Sequence, residues 1–187
     1  VAEVDMWSPE TVMSAAFVLA LLAGVVLKFW LASRQIRHVA AFRSQVPDRF
    51  TQTVTLQAHQ KAADYTITKT RFGLLELALA TAVLLGWTLL GGLDALNQAL
   101  LDSVQPRFGD MAYQLALLAA FALIGGALDL PFELYSTFRI EQRFGFNRMT
   151  AKLFIADLLK NSAVGALIVG LEKYWTAFHV KRTAKSA

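Results

Sequence analysis

The sequence lacks cysteine altogether and carries little charge. With no cysteine among 187 residues, this chain has no disulfide, no thiolate zinc site and no cysteine nucleophile. Charged residues make up 17% of the chain and apolar residues 56%, against about 25% and 45–50% in an ordinary soluble domain. The apolar residues are pooled into long blocks, which indicates a membrane protein.

Motifs of known catalytic and metal sites are also missing. The three histidines, His38, His59 and His179, have no second histidine or glutamate at metal-ligand spacing, and there is no HExxH. Neither GxSxG, a P-loop nor a glycine-rich dinucleotide fingerprint occurs. We therefore predict no catalytic residue, no metal ligand and no cofactor in this chain. The net charge of +4 does not indicate nucleic acid, because the Lys and Arg residues adjoin the apolar blocks.

Four apolar blocks predict an all-α, polytopic membrane protein with one domain over residues 1–187. Three blocks, at about 11–32, 74–96 and 111–130, approach the ~20 residues that cross ~30 Å of hydrocarbon, and isolated segments cross lipid only as helices. The fourth, at about 158–175, is interrupted by charge, so its uncharged part suits a re-entrant or interfacial segment. Flanking aromatic residues also permit a fourth span.

The distribution of Lys and Arg predicts the orientation in the bilayer. None precedes the first block, seven lie in the connection 33–73, one lies in 97–110 and five lie in 131–160. Because cytoplasmic connections carry the excess of basic residues, we expect the N-terminus outside and connections 33–73 and 131–160 in the cytoplasm. If the fourth block spans, the basic tail from Lys181 disagrees with this rule.

The two cytoplasmic connections are predicted to be partly helical. Nothing interrupts the first helix before Pro47, and a second polar stretch leads from Asp48 into the next span. In the other connection, Pro131 is expected to kink or end the third span. Gly145 is expected to take a positive φ, and Asn147 to cap an amphipathic helix over 148–160.

Ionisable residues at membrane depth are candidate functional groups, because charge there is costly. Lys28, Asp94 and Glu172 lie near the ends of their apolar blocks, where interfacial water or snorkelling suffices. Glu76 and Asp129 are the better candidates, since both are expected at the cytoplasmic ends of adjacent spans. A purely structural role for the pair is the alternative.

Two stretches resemble a known family. The first includes residues 30–35, 46–47 and 65–73, and the second includes residues 130–141 and 144–147. Over about 12–160 the chain resembles the N-terminal membrane region of the type-1 CAAX prenyl endopeptidases, which are integral membrane zinc metalloproteases. The residues that match the family motif are Arg34, Gln35, Pro47, Lys69, Pro131, Tyr135, Ser136, Glu141, Gly145, Phe146 and Asn147.

The resemblance implies that this chain functions as one part of a larger membrane protein. Family members enclose a chamber with about seven helices and carry HExxH on a later helix, so zinc is expected only in a full-length member. We expect an N-terminal transmembrane domain, of a bacterial inner membrane, that forms chamber wall and cytoplasmic surface and is inactive alone. Its expected partners are the lipid bilayer and a catalytic metallopeptidase domain in cis or a larger membrane complex. The alternative is a non-enzymatic membrane subunit that packs against such a complex.

Overall fold

A computed structural model describes residues 8–165 and 167 of the chain. These residues form helices and turns, with no strand among them. The chain falls into two compact units, Val1–Phe146 and Asn147–Ala187, where the sequence predicted one domain. Three helices in the described part are long and apolar enough to cross a membrane: Pro9–Ala41, Leu56–Thr88 and Gln105–Glu141. The predicted spans at 11–32 and 111–130 fall within two of these helices, and the span predicted at 74–96 starts within Leu56–Thr88 but runs past its end. The predicted fourth block, 158–175, lies mostly outside the described residues.

Helix α1 is Pro9–Ala41, and its start follows from local chemistry. The Ser8 hydroxyl accepts a hydrogen bond from the Thr11 amide at 3.3 Å, which satisfies one of the free N–H groups of the first turn. Proline at the first helical position loses no hydrogen bond there. At 33 residues the helix is about 50 Å long, so it extends beyond the ~30 Å hydrocarbon core, as predicted.

Helix α2, Leu56–Thr88, forms a hairpin with α1 through a short 3₁₀ turn at Asp48–Phe50. The hairpin is fastened by Arg43, whose Nε and Nη2 donate to the two carboxylate oxygens of Asp64 at 2.7 and 2.8 Å. This hydrogen bonding raises the pKa of Arg43 above its usual value. A ring nitrogen of His59 lies 3.0 Å from the Phe42 carbonyl oxygen. The predicted helical character of connection 33–73 is confirmed.

The second span ends earlier than predicted, because a glycine pair reverses the chain. Helix α2 stops at Thr88 rather than at 96, and Gly91 takes a left-handed conformation with φ 75°. A Cβ on Gly92 would lie 2.8 Å from the Gly86 carbonyl oxygen, so the backbone passes too closely for a side chain. Helix α3, Gly92–Ser103, then has only 12 residues, too few to cross the hydrocarbon core.

Helix α4, Gln105–Tyr135, continues into a π-helix at Ser136–Glu141. The backbone of α4 is non-helical at Gly109, which has φ 78°. Pro131 was expected to kink or end this helix, but the expectation of an end is wrong. The α-helix runs on to Tyr135, and the wider turn begins only at Ser136.

After the π-helix the chain makes a tight turn at Gly145. The glycine has φ 69°, which confirms the predicted positive φ. Its amide donates to the Gln142 carbonyl at 3.0 Å, and the Phe146 amide donates to the Glu141 carbonyl at 2.9 Å. These bonds satisfy carbonyl groups that a helix end leaves free.

In the second unit, the predicted helix begins later than residue 148. The Asn147 side chain accepts from the Met149 amide at 2.6 Å, an Asx turn that keeps the next residues out of the helix. The Thr150 hydroxyl accepts from the Leu153 amide at 3.2 Å, and residues 151–165 are helical. The prediction that Asn147 caps this helix is therefore wrong; Thr150 is the cap.

Candidate functional site: a groove between α2 and α4

A groove of about 800 Å³ runs between α2, α4 and the π-helix. One end is apolar, and the other end carries nearly all the ionisable side chains. The larger apolar lining residues are Leu77, Leu79, Val83, Leu84, Trp87, Phe121, Leu128 and Phe132. The polar lining residues are Lys69, Glu76, Asp129, Glu133, Ser136, Thr137 and Glu141. Trp87 and Phe121 contact each other, with ring centroids 5.1 Å apart, so α2 and α4 meet at the apolar end.

Lys69 ties α2 to the π-helix at the polar end of the groove. Its Nζ donates to the Ser136 hydroxyl at 2.5 Å and to a Glu141 carboxylate oxygen at 3.1 Å. Ser136 is buried, with 8% of its surface exposed. The lysine therefore satisfies a buried hydroxyl and neutralises a carboxylate with one ammonium group. We call this contact the Lys69 bridge.

The π-helix explains why one lysine reaches both groups. Residues five apart in an α-helix point about 140° away from each other, given 3.6 residues per turn. In a π-helix the hydrogen bonds run from residue i to residue i+5, so such residues lie one turn apart on one face. Ser136 and Glu141 are related in this way, and both face Lys69.

Glu76 and Asp129, singled out from the sequence, line the same groove together with Glu133. None of the three side-chain carboxylates forms a hydrogen bond or ion pair with another described residue. Of the lesser candidates, Asp94 lies outside the groove and accepts from the Gln98 side chain at 2.9 Å. Glu172 lies outside the described residues.

Sequence reasoning missed Glu133, Trp87 and Phe121 as groove residues. A signal for Glu133 was present, since it follows Asp129 by four residues and so lies on the same helix face. No such signal exists for Trp87 or Phe121, because their roles depend on how α2 and α4 cross.

The other motif residues lie in different places. Tyr135 stacks on Phe72 with centroids 5.2 Å apart, and both line a smaller hollow with Pro131. The Arg34 guanidinium lies 5.7 Å from the Trp30 ring centroid on its own helix. Gln35 and Pro47 belong to the α1–α2 hairpin, and Asn147 belongs to the second unit.

An aromatic cluster surrounds the Gly145 turn. Tyr65 on α2 meets Phe144 and Phe146 edge-on, with centroids 5.5 and 4.8 Å apart. The Lys61 ammonium lies 5.5 Å from the centre of the Phe146 ring. The cluster holds the turn against α2, near the Lys69 bridge.

The described residues include no group of three or more His, Asp or Glu side chains that could hold a metal ion. The polar end of the groove fits zinc poorly in any case. It offers scattered carboxylates without histidine, and Glu141 is already bonded to Lys69, whereas zinc sites combine His, Cys and carboxylate ligands in a tetrahedron.

The helices and the groove define an integral membrane protein, and comparison with known proteins gives its family. A family model described as CAAX prenyl protease N-terminal, five membrane helices, matches residues 35–186. The chain therefore belongs to this family, which confirms the resemblance seen in the sequence. Three of the helices in the described residues are long and apolar enough to be membrane spans.

Several relatives resemble this chain over much of its length. It is 28% identical over 152 residues to the probable CAAX prenyl protease 1 of Schizosaccharomyces pombe, covering 76% of this chain and 32% of the relative. It is 25% identical over 150 residues to the CAAX prenyl protease 1 homolog of Arabidopsis thaliana, covering 77% and 35%. The chain thus spans about a third of the length of these relatives.

A solved structure shares the fold. The crystal structure of S. mikatae Ste24p matches with a TM-score of 0.71 and 22% identity, over 80% of this chain and 35% of that chain. At this identity the match shows the arrangement of the helices alone.

Proposed function

We propose that this chain is the wall-forming membrane domain of a CAAX-protease-like zinc metallopeptidase. It builds part of an intramembrane chamber and the adjoining cytoplasmic surface, and the catalytic residues lie outside it. The observation that carries the proposal is the groove between α2 and α4, whose polar end is fixed by the Lys69 bridge. A groove between two candidate membrane-spanning helices, with a fixed polar rim and in a chain of this family, is what a chamber wall requires.

The residues present in this chain indicate which part of the metallopeptidase it supplies. In a metallopeptidase a bound zinc ion activates the attacking water. Residues 1–187 contain no HExxH, and the groove fits zinc poorly, so we propose that zinc and its ligands belong to a catalytic domain in cis or to a larger complex. This chain contributes the wall and its polar rim.

Zinc content and proteolysis test this proposal. Purified 1–187 should hold less than a tenth of a zinc ion per chain, measured by mass spectrometry, and should not cleave a prenylated CAAX peptide. The same protein, tagged at its own locus and purified intact from native membranes, should hold about one zinc ion and cleave the peptide in a chelator-sensitive manner.

The measurements on purified 1–187 and on the native assembly separate the metallopeptidase domain from the alternative functions. Chelator-sensitive cleavage by pure 1–187 would contradict the claim that catalysis lies elsewhere. A native assembly with neither zinc nor peptidase activity would favour a non-enzymatic membrane subunit instead.

We also propose that the N-terminus lies outside a bacterial inner membrane, with the α1–α2 hairpin and the Gly145 turn in the cytoplasm. The asymmetry of Lys and Arg supports this orientation. Helical spans suit an inner membrane, whereas outer membranes hold closed barrels.

Because the chain has no cysteine, single cysteines report its orientation without background. A cysteine at Gln105 should react with an impermeant maleimide in intact cells, whereas cysteines at Thr53 and Arg143 should react only after permeabilisation. The reverse pattern would overturn the orientation and leave the fold unaffected.

A further inference from the structure

We propose that the smaller hollow between α2 and α4 binds one anionic phospholipid of the cytoplasmic leaflet. One hydrocarbon chain of the lipid lies in the hollow, and the guanidinium groups of Arg71 and Arg139 hold its phosphate. The inference goes beyond the proposed function, because it assigns a ligand to the side of the wall that faces away from the groove. It rests on the proposed function in one respect, that the groove side faces the chamber.

The hollow and the groove open on opposite sides of the α2–α4 pair. Residues two apart in an α-helix point about 200° away from each other. On α2, Leu75 lines the hollow and Leu77 lines the groove. On α4, Pro131 lines the hollow and Glu133 lines the groove. If the groove faces the chamber, the hollow therefore faces outward, to the bilayer.

The size and lining of the hollow suit a single hydrocarbon chain. Its volume is about 310 Å³, at the low end of the ~300–1,000 Å³ of small-molecule sites. The lining side chains are apolar or aromatic: Phe72, Leu75, Pro131, Phe132 and Tyr135. The Phe72 ring lies with its centroid 6.0 Å from that of Phe132 and 5.2 Å from that of Tyr135, so ring contacts separate the hollow from the groove.

Two unpaired arginines flank the cytoplasmic end of the hollow. Arg71 precedes Leu75 by four residues, and Arg139 follows Tyr135 by four. Each arginine is thus about one helical turn from a lining residue and shares its face. Both are exposed, whereas Ile140, next to Arg139, is only 4% exposed. Neither guanidinium forms a hydrogen bond or ion pair with another described residue.

The acidic side chains of the same region lie on the groove side. The carboxylates that line the groove are Glu76, Asp129, Glu133 and Glu141, and neither Arg71 nor Arg139 lines it. The two sides of the wall therefore carry charge of opposite sign. Basic pockets between membrane helices on the cytoplasmic side bind anionic headgroups, and guanidinium groups match the geometry of phosphate.

The spacing along α2 places the phosphate and the chain at suitable depths. In the proposed orientation both arginines belong to the basic cytoplasmic connections. Leu75 lies about 6 Å further along α2 than Arg71, so a chain can enter the hollow while its phosphate stays at the arginines. A phosphate held in this way joins α2 to the π-helix, the two elements that the Lys69 bridge joins from the groove side.

Native mass spectrometry of the intact protein, purified from its native membranes in detergent, tests the inference. The anionic probe is dioleoylphosphatidylglycerol, and dioleoylphosphatidylcholine provides the same chains without net charge. The Kd of the first bound phosphatidylglycerol should be at least tenfold lower than that of the first phosphatidylcholine. Equal Kd values for the two lipids would overturn the inference.

A matched pair of double variants separates a site from general attraction. Arg71→Gln with Arg139→Gln should raise the Kd for phosphatidylglycerol at least fivefold. Arg34→Gln with Arg37→Gln removes two other exposed arginines near the cytoplasmic end of the first apolar block, and it should leave this Kd within twofold. Equal effects of the two pairs would contradict the site, because the net charge of the cytoplasmic surface would then explain the preference.

Filling the hollow tests the position of the chain. Leu75→Trp should raise the Kd for phosphatidylglycerol at least fivefold, since the larger ring occupies the hollow. Leu123→Trp is the control, because Leu123 is also exposed, at 73% against 58%, and lines neither the hollow nor the groove. It should change the Kd less than twofold. Equal effects of the two tryptophans, or displacement of the lipid by excess inorganic phosphate, would overturn the inference.

Failure of this inference is distinguishable from failure of the proposed function. A native assembly that holds zinc and cleaves its peptide, but binds both lipids alike, would contradict the lipid site alone. An assembly without zinc or peptidase activity that still prefers phosphatidylglycerol through Arg71 and Arg139 would uphold the lipid site and contradict the metallopeptidase assignment.

Discussion

Replacing Phe144 with alanine is expected to lower the free energy of unfolding by about 3 kcal/mol, the low end of the range for Phe-to-Ala changes at buried sites. Phe144 is one of few buried side chains in the described part of the chain, with 8% of its surface exposed. Its ring meets Tyr65 edge-on, so truncation removes an aromatic contact and leaves a cavity. Unfolding of the detergent-solubilised chain, followed by circular dichroism during titration with SDS, measures the change.

The second phenylalanine of the same turn provides the control. Phe146 also contacts Tyr65 but is 49% exposed, so Phe146→Ala is expected to cost only about 1 kcal/mol. Phe144→Leu keeps most of the buried volume and should cost less than about 1.5 kcal/mol. Equal losses for the two alanine variants would show that the burial of Phe144 does not stabilise the turn.

Lys69→Met is expected to lower the free energy of unfolding by about 2 kcal/mol. The variant leaves the buried Ser136 hydroxyl without its donor and leaves the Glu141 carboxylate without its cation. Breaking a fully buried ion pair costs about 3–5 kcal/mol. The side chains of Lys69 and Glu141 are 40% and 29% exposed, and water screens the pair, so we expect less. The same SDS titration measures this loss.

A double-mutant cycle isolates the bridge from the loss of the lysine itself. With Glu141→Gln already present, Lys69→Met should cost at least about 0.5 kcal/mol less than in the parent, because contacting residues are energetically coupled. Lys160→Met is the control: its side chain is 73% exposed and lies 3.9 Å from Asp157, and we expect a change within about 0.5 kcal/mol. Additive costs for Lys69 and Glu141 would show that the bridge contributes nothing to stability.

Much of the fold could be predicted from the sequence, because the membrane limits what an apolar block can form. Uncharged runs near the length of a bilayer crossing predicted three spans at 11–32, 74–96 and 111–130, and each of them overlaps one of the three long apolar helices. The positive φ of Gly145 was predictable because only glycine adopts that conformation without steric cost. The family was predictable from its specific motif.

The errors lie where local alternatives compete. The second apolar run continues past Gly91 and Gly92, so hydropathy alone did not reveal that α2 ends at Thr88. Asn147 and Thr150 are both good caps, and the choice depended on an Asx turn that the sequence does not distinguish from a cap. Pro131 is tolerated inside α4, as prolines often are in transmembrane helices.

The groove was only partly predictable. Glu76 and Asp129 were found because charge at membrane depth is rare. Their meeting in one groove depends on how α2 and α4 pack, and a single sequence does not give that packing. The pairing of Lys69 with Ser136 and Glu141 requires a π-helix, and α- and π-helices share the same hydropathy pattern over six residues.

The π-helix at Ser136–Glu141 makes this segment sensitive to its length more than to the identity of each residue. If the six residues formed an ordinary α-helix, Ser136 and the carboxylate that follows it would lie about 140° apart around the axis and would no longer share a face. Removing one residue between them would restore the shared face, because residues four apart in an α-helix are neighbours. Another chain therefore preserves this geometry with a spacing of five in a π-helix or of four in an α-helix, even where the intervening residues differ.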